Sequence, residues 1–345
     1  MKNVNFLYLS MEDIIAAGGL NMKLAIEDVE CALSLFNKKD CRLPDKVVLR
    51  WGETKEDELL LGRLNAMPSY LGGEYNMAGI KWVGSNPENP FKYNLPRASG
   101  LIILNDPKTK IPISIMDGTI ISAMRTGAVT GIAAKYLARE NSQILGLIGA
   151  GVQNRTQLKA VLVTRPSIQK VYICDLYYEK STIFANDMSK DCGIEVIPVK
   201  TVEEASISSD IIITATTTNE PILQEKWVKK GTLYSNVSGY ECTYKTVRQS
   251  DKIVVDNWAQ VKHRKSSTIA LMANEGIISD EDIYAEIGEI VNNKKQGRIS
   301  DNERIYFNAV GMSIEDISFA TRLYRIAKEN KIGIELKLWE QPYWI

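Results

Sequence analysis

Residues 144–151 read Ile-Leu-Gly-Leu-Ile-Gly-Ala-Gly, and a second short apolar run, Val171 to Cys174, ends in Asp175. The first segment has the pattern of a phosphate turn and the second that of a ribose clamp. In a strand–turn–helix unit Gly149 permits the tight turn around Ala150, and Gly151 lets the backbone approach a pyrophosphate. The helix opened by Val152 and Gln153 then offers the anion N–H groups that have no partner within the helix. The third glycine position of the fingerprint holds Asn154, while the acidic residue roughly 20 positions further on supplies its second half. A carboxylate at Asp175 accepts from both ribose hydroxyls of NAD and repels the 2′-phosphate of NADP, so NAD is the expected cofactor. The competing reading is an ordinary glycine turn with Asp175 as a helix cap. An apolar strand before the turn and a helical run after it argue against that reading.

Such a turn works only at the carboxyl end of a sheet, and the chain supplies one. Strand-like runs recur at 144–148, 171–175, 195–198, 211–215, 233–236 and 253–255, with helical stretches after several of them, the alternation expected of a parallel sheet. Ligands bind beyond the carboxyl ends of such strands, which brings Gly149, Asp175, Thr216, Asn236 and Ser238 toward one crevice where substrate and cofactor should meet. Upstream, residues 23–38 carry Ala25, Val29, Ala32, Leu33 and Phe36 at helical spacing, and strands are expected at 47–50, 101–104 and 111–115, the last two forming a hairpin across Asn-Asp-Pro-Lys-Thr-Lys. Residues 67–97, rich in Gly, Pro and Asn, read as exposed loops that form one wall of the site and carry Lys81 and Arg97. A helix at about 117–139 opens the second domain, and another at 314–330 is expected to return to the first. The predicted fold is therefore α/β: a Rossmann-type doubly wound parallel sheet over residues 117–314, plus a smaller α+β domain of residues 1–116 with 315–345.

The bulk properties narrow the function. Lys plus Arg and Asp plus Glu total 42 each in 345 residues, so no basic stripe is available to a nucleic-acid backbone. No apolar stretch reaches membrane length and the amino terminus lacks a leader pattern, so a soluble cytoplasmic protein is expected. Five dispersed cysteines without Cys-x-x-Cys spacing suit a reducing compartment. No metal is expected either: neither paired histidines nor an oxygen-rich loop appears at ligand spacing, and the single histidine, His263, stands in a hydrophilic run.

Met67-Pro68, Gly79-Ile80-Lys81-Trp82, Leu104-Asn105-Asp106-Pro107, Met116-Asp117-Gly118, Arg125-Thr126-Gly127-Ala128 and the Ile-Gly-Ala-Gly turn, in that order, resemble the ornithine cyclodeaminase/mu-crystallin family. Ser-Asn-Pro-Glu-Asn-Pro after Lys81, Val-Val-Asp-Asn-Trp at 254–258, Ala-Glu-Ile-Gly at 285–288 and Gly-Met-Ser-Ile-Glu-Asp-Ile at 311–317 look most like the branch that makes 2,3-diaminopropionate for siderophores and related products. The resemblance implies a homodimer, NAD in the Rossmann domain, and an amino-acid substrate whose Cα–H leaves as hydride to give an imine. Substrate contacts would fall to Arg50, Met67, Lys81 and Arg125, with Arg125 and Thr126 also meeting the cofactor. Arg50 and Arg125 can each grip a carboxylate with a planar fork of donors. Lys81, shielded by Trp82, could have a lowered pKa and act as base or polarise the imine. The plain alternatives are a surface ion pair for Arg50, a solvated helix face for Arg125 and a snorkelling side chain for Lys81.

One segment departs from the family. Where ornithine cyclodeaminases carry an aspartate proposed to handle the substrate amine, Ser235-Asn236-Val237-Ser238-Gly239-Tyr240-Glu241-Cys242 places Glu241, one methylene longer, beside Tyr240 in place of a small residue. Glu241 is thus expected as a catalytic carboxylate, in a pocket whose size and reach differ. Ornithine cyclisation to proline and a non-catalytic, mu-crystallin-like binding role are the competing functions.

Overall fold

Buried and half-buried side chains alternate through residues 67–71 and 77–81, the signature of two strands with one covered face. The computed structural model describes residues 3–52, 54, 62–264 and 266–344. They fall into two compact units, Met1–Arg125 with Met312–Ile345, and Thr126–Gly311. The chain passes from the first unit to the second within the helix Thr119–Leu137, not ahead of it. Asp117 opens that helix, its carboxylate accepting from the N–H groups of Thr119 and Ile120 at 3.1 and 3.2 Å.

The strands of the first unit are β1 (Val4–Leu9), β2 (Cys41–Arg42), β3 (Val47–Leu49), β4 (Arg63–Leu71), β5 (Met77–Ser85), β6 (Ala98–Asn105) and β7 (Pro112–Asp117). β7, β6, β5 and β4 form an antiparallel run continued by β2 and β3 beyond β4, while β1 lies parallel to β7. The expected hairpin is β6–β7. The carboxyl-terminal strand, Ile334–Trp339, runs antiparallel to β1 and is exposed along most of its length. The expectation of loops over 67–97 is corrected here, since β4 and β5 occupy much of that stretch. Pro68 disguised β4. β2 pairs with residues 70–71 and β3 with 64–66, so Pro68 falls in the gap between them, where its missing N–H forfeits no ladder bond on that side.

Met67, Ser69 and Leu71 of β4 and Met77, Gly79 and Lys81 of β5 are buried on one face. The helix Ser313–Asn330 packs on these strands. Gly79 permits its approach: a Cβ there would stand 2.6 Å from the side chain of Ile317 and 2.6 Å from the carbonyl oxygen of Ile103. Trp82, the next residue after Lys81, lies on the opposite face and is 43% exposed, so burial beneath the helix shields the lysine, not the indole.

The second unit contains β8 (Ile144–Ile148), β9 (Lys170–Cys174), β10 (Glu195–Pro198), β11 (Ile211–Thr214), β12 (Leu233–Asn236), β13 (Lys252–Val255), β14 (Ala285–Glu286) and β15 (Ile305–Asn308). All pair in parallel, in the order β10-β9-β8-β11-β12-β15-β13-β14. β11, β12, β13 and β15 are buried along their whole length, as a sheet covered on both faces requires. This is the doubly wound sheet read from the sequence, with β14 and β15 added. The order reverses between β8 and β11, and the crevice at that switch point is where such sheets bind ligands.

Candidate active site and dinucleotide cradle

In the second unit Gly149 has φ +100°, and a Cβ there would meet the carbonyl oxygen of Ala215 at 2.5 Å, so only glycine fits. Gly151 is the N-cap of the helix Val152–Thr164, with no side chain bonded to the helix end and open space where its Cβ would be. Asn154 stands where the fingerprint has its last glycine. It is wholly buried and turns the substitution to use, its amide donating to the carbonyls of Ile148 at 2.9 Å and Gly149 at 2.6 Å. Asp175 follows β9. One of its oxygens accepts from the N–H of Ala150 at 2.8 Å and the other from that of Tyr177 at 3.1 Å, which leaves lone pairs on both for ribose hydroxyls. A bare helix end, a backbone without side-chain cover and a carboxylate at the adjacent strand end fit a dinucleotide. Val152 is exposed and Gln153 half-buried in the first helical turn, and Thr126, also half-buried, accepts from the Gln157 amide at 3.3 Å.

Glu241 follows β12 in the chain. It is 0% exposed. One carboxylate oxygen accepts from Thr216 N at 2.6 Å and Thr216 Oγ1 at 2.7 Å. The other accepts from Thr214 Oγ1 at 2.9 Å, Asn236 Nδ2 at 2.6 Å and Ser238 N at 3.1 Å. Burial pushes this carboxyl above its ordinary range, against the pull of the bonds from Thr216, Thr214 and Ser238. Asn236 is in turn held by β15, accepting from Tyr306 Oη at 2.8 Å and, through its carbonyl, from Asn308 Nδ2 at 2.6 Å. Glu241 therefore ties the chain after β11 to the chain after β12. Both oxygens of the buried carboxylate are engaged by these donors, an arrangement that favours a bracing role over the catalytic one expected from the sequence.

In the first unit Lys81 Nζ donates to Asp316 Oδ2 at 2.7 Å and to Ser122 Oγ at 3.3 Å, and is 2% exposed. Arg125 donates from Nε to Asp316 Oδ1 at 3.1 Å and from one Nη to Glu315 Oε2 at 2.9 Å. Burial draws the Lys81 ammonium down to about 8, aided by the Arg125 charge and opposed by Asp316 and Glu315. For Arg125 burial also works against the charge, but the same two carboxylates outweigh it and hold the guanidinium protonated. Met67 is buried in register with Lys81 across the β4–β5 ladder. Arg50 follows β3, half-buried, with Nη1 3.5 Å from the carbonyl oxygen of Gly62. Lys92 pairs at the surface with Glu88 at 2.7 Å, and Arg97 is exposed. Glu315 and Asp316 belong to the Gly-Met-Ser-Ile-Glu-Asp-Ile segment at 311–317, whose order alone assigns them no task. The available signal was two adjacent acids in an otherwise apolar helix face, because buried carboxylates require cations.

The model of the ornithine cyclodeaminase/mu-crystallin family matches residues 10–331. The N-((2S)-2-amino-2-carboxyethyl)-L-glutamate dehydrogenase of Staphylococcus aureus (strain NCTC 8325 / PS 47) is 38% identical over 338 residues, spanning 98% of this chain and 100% of that protein. Among solved structures, Thermococcus litoralis Delta(1)-pyrroline-2-carboxylate reductase in complex with NADH and L-proline superposes with a TM-score of 0.89 at 38% identity, covering 96% of this chain and 100% of the other. An archaeal alanine dehydrogenase dimer with bound NAD superposes with a TM-score of 0.88 at 35% identity, covering 97% and 100%.

Proposed function

The chain belongs to the ornithine cyclodeaminase/mu-crystallin family, and from that premise we propose that it oxidises the Cα–N bond of an N-substituted amino acid to an imine, which water then splits. It is an NAD-dependent oxidoreductase of amino-acid metabolism, like the relatives it matches. The leading substrate is N-((2S)-2-amino-2-carboxyethyl)-L-glutamate, on which the Staphylococcus aureus relative acts by name. Hydrolysis of its imine yields 2,3-diaminopropionate and 2-oxoglutarate.

The observation that carries this reading is a buried lysine, brought to about 8, in one cluster with a guanidinium. Arg125 has Nε and one Nη engaged, and its second Nη remains to grip a substrate carboxylate, with Arg50 as the second anchor. Neutral Lys81 takes the proton of the substrate nitrogen as the Cα–H leaves with its electron pair. NAD, when bound, accepts that hydride. It would be held by the Gly149–Gly151 turn, the first turn of the following helix and Asp175, with Thr216 and Ser238 set in place by Glu241. In the reverse direction protonated Lys81 returns the proton to the amine nitrogen. Oxidation must therefore rise with pH through about 8 as the lysine loses its proton, and imine reduction must fall over the same interval.

The test is mass spectrometry of products after incubation with NAD and candidate amino acids, alongside absorbance at the NADH band. Accumulation of NADH with 2-oxoglutarate supports the proposal. Proline and ammonia from ornithine with no net NADH would identify a cyclodeaminase, and absence of turnover across the panel despite tight NAD binding would identify a binding protein. The Thermococcus litoralis relative favours a second reading, reduction of a cyclic imine, which NADH with Delta(1)-pyrroline-2-carboxylate checks directly.

Two further outcomes follow from single features. Asp175→Asn weakens NAD about tenfold, because bonds to a charged acceptor are worth roughly 1.5–3 kcal/mol, and narrows the preference over NADP; equilibrium titration with both dinucleotides reads this. The protein works as a dimer. Val47, Val48, Leu49, Trp51, Trp82 and Leu101 of the first unit are exposed, apolar area that a second copy would cover. A monomer mass at micromolar concentration in the analytical ultracentrifuge would rule that out.

A further inference from the structure

Lys81 and Arg125 are two cations joined by one carboxylate, whose two oxygens lie 2.7 Å from Lys81 Nζ and 3.1 Å from Arg125 Nε. Asp316 is wholly buried, as is Glu315, which takes a separate donor of Arg125. We propose that Asp316 is a positioning residue that couples the proton acceptor to the carboxylate anchor, so that a substrate gripped by Arg125 finds the amine of Lys81 at a fixed place. This rests on the function proposed above, with Lys81 as the group that exchanges the proton.

The physical need is specific. A lysine side chain has four rotatable bonds, and a second cation in a medium of low dielectric drives its ammonium away or strips its proton. The groups bearing on Lys81 are Arg125, on the helix that begins at Thr119, and Asp316 and Glu315, on the helix that begins at Ser313; Ser122 supplies an uncharged second hold. Asp316 bonds both cations. Glu315 bonds Arg125 and reaches Lys81 through its charge, which fixes the guanidinium without a bond that would hold the amine in place. The Gly79 contact described above is what lets the helix come low enough over β5 for this reach.

Asp316→Asn keeps the size and removes the charge. In protein labelled with 13C at the lysine ε carbon, with the Lys81 signal assigned by its loss in Lys81→Arg, the Lys81 midpoint should fall by one unit or more, since an opposite charge at contact is worth about 1–3 units. The rising limb of kcat/KM against pH should move down with it, and its plateau should fall about tenfold as orientation is lost. Asp316→Glu restores the charge and should return the midpoint toward that of the parent. A role confined to packing would lower the melting temperature and leave both midpoint and limb in place. An unchanged midpoint in folded Asp316→Asn protein overturns the proposal whatever the activity, so it fails independently of the substrate assignment. If Asp316→Asn does not fold, the unsubstituted protein decides. The Asp316 carboxyl carbon must report the Lys81 titration near pH 8, and a flat response there overturns the coupling.

Discussion

Lys81→Met lowers the rate of hydride transfer about 10³-fold, within the range that a positioned proton-transfer group contributes, while the affinity for NAD stays within twofold. Methionine matches the length and apolar bulk of the lysine stem, so β5 and the helix above it keep their packing. What disappears is the atom that takes the proton. The cluster also loses balance, since Arg125 then faces both Asp316 and Glu315 alone, and stability should fall by about 3 kcal/mol, as when one partner of a buried pair is removed. Single-turnover absorbance at the NADH band separates the chemical step from binding, and urea unfolding reads the stability. Because the midpoint of Lys81 lies at about 8, the deficit should be largest on the alkaline side, where the unsubstituted enzyme has its amine free. Retained turnover with the same pH dependence would remove Lys81 from the mechanism.

Glu241→Gln is expected to unfold the second unit more readily, costing about 2–4 kcal/mol, with NAD affinity falling alongside. Each oxygen of this carboxylate faces a backbone N–H, that of Thr216 on one side and that of Ser238 on the other. A glutamine must aim its NH2 at one of them, whichever way it turns, so two donors meet with no acceptor between them. The site is buried and water cannot repair the loss. Loops bordering the switch-point crevice would loosen, and the dinucleotide depends on them. Were Glu241 instead to carry a proton for the substrate, the amide would abolish turnover and leave the denaturation midpoint nearly unchanged.

The dinucleotide half of the molecule was legible because its signals are local. A glycine turn, the strand before it and an acid about 20 residues later follow one another along the chain, and the structure finds Gly149 with φ +100° and Asp175 bonded to Ala150. β8, β10 and β12 were read to the residue. β15 was passed over, although its run Ile-Tyr-Phe-Asn is apolar, because its place between β12 and β13 depends on a crossover that returns from beyond β14. With it went the support for Asn236, and so the clue to a bracing role for Glu241.

By itself the amino-acid order determined the parallel α/β sheet, the glycine turn with its following acid, the family and the candidacy of Lys81 and Arg125, all properties of short segments or of their succession. Only the tertiary structure decided the state of those groups. Asp316 lies 235 residues from Lys81 and 191 from Arg125, and no local period joins them. Burial under the helix Ser313–Asn330, and not a neighbouring tryptophan, lowers the lysine. Charge in a protein interior is governed by what lies within a few ångströms in space, and for these residues folding alone brings those neighbours together.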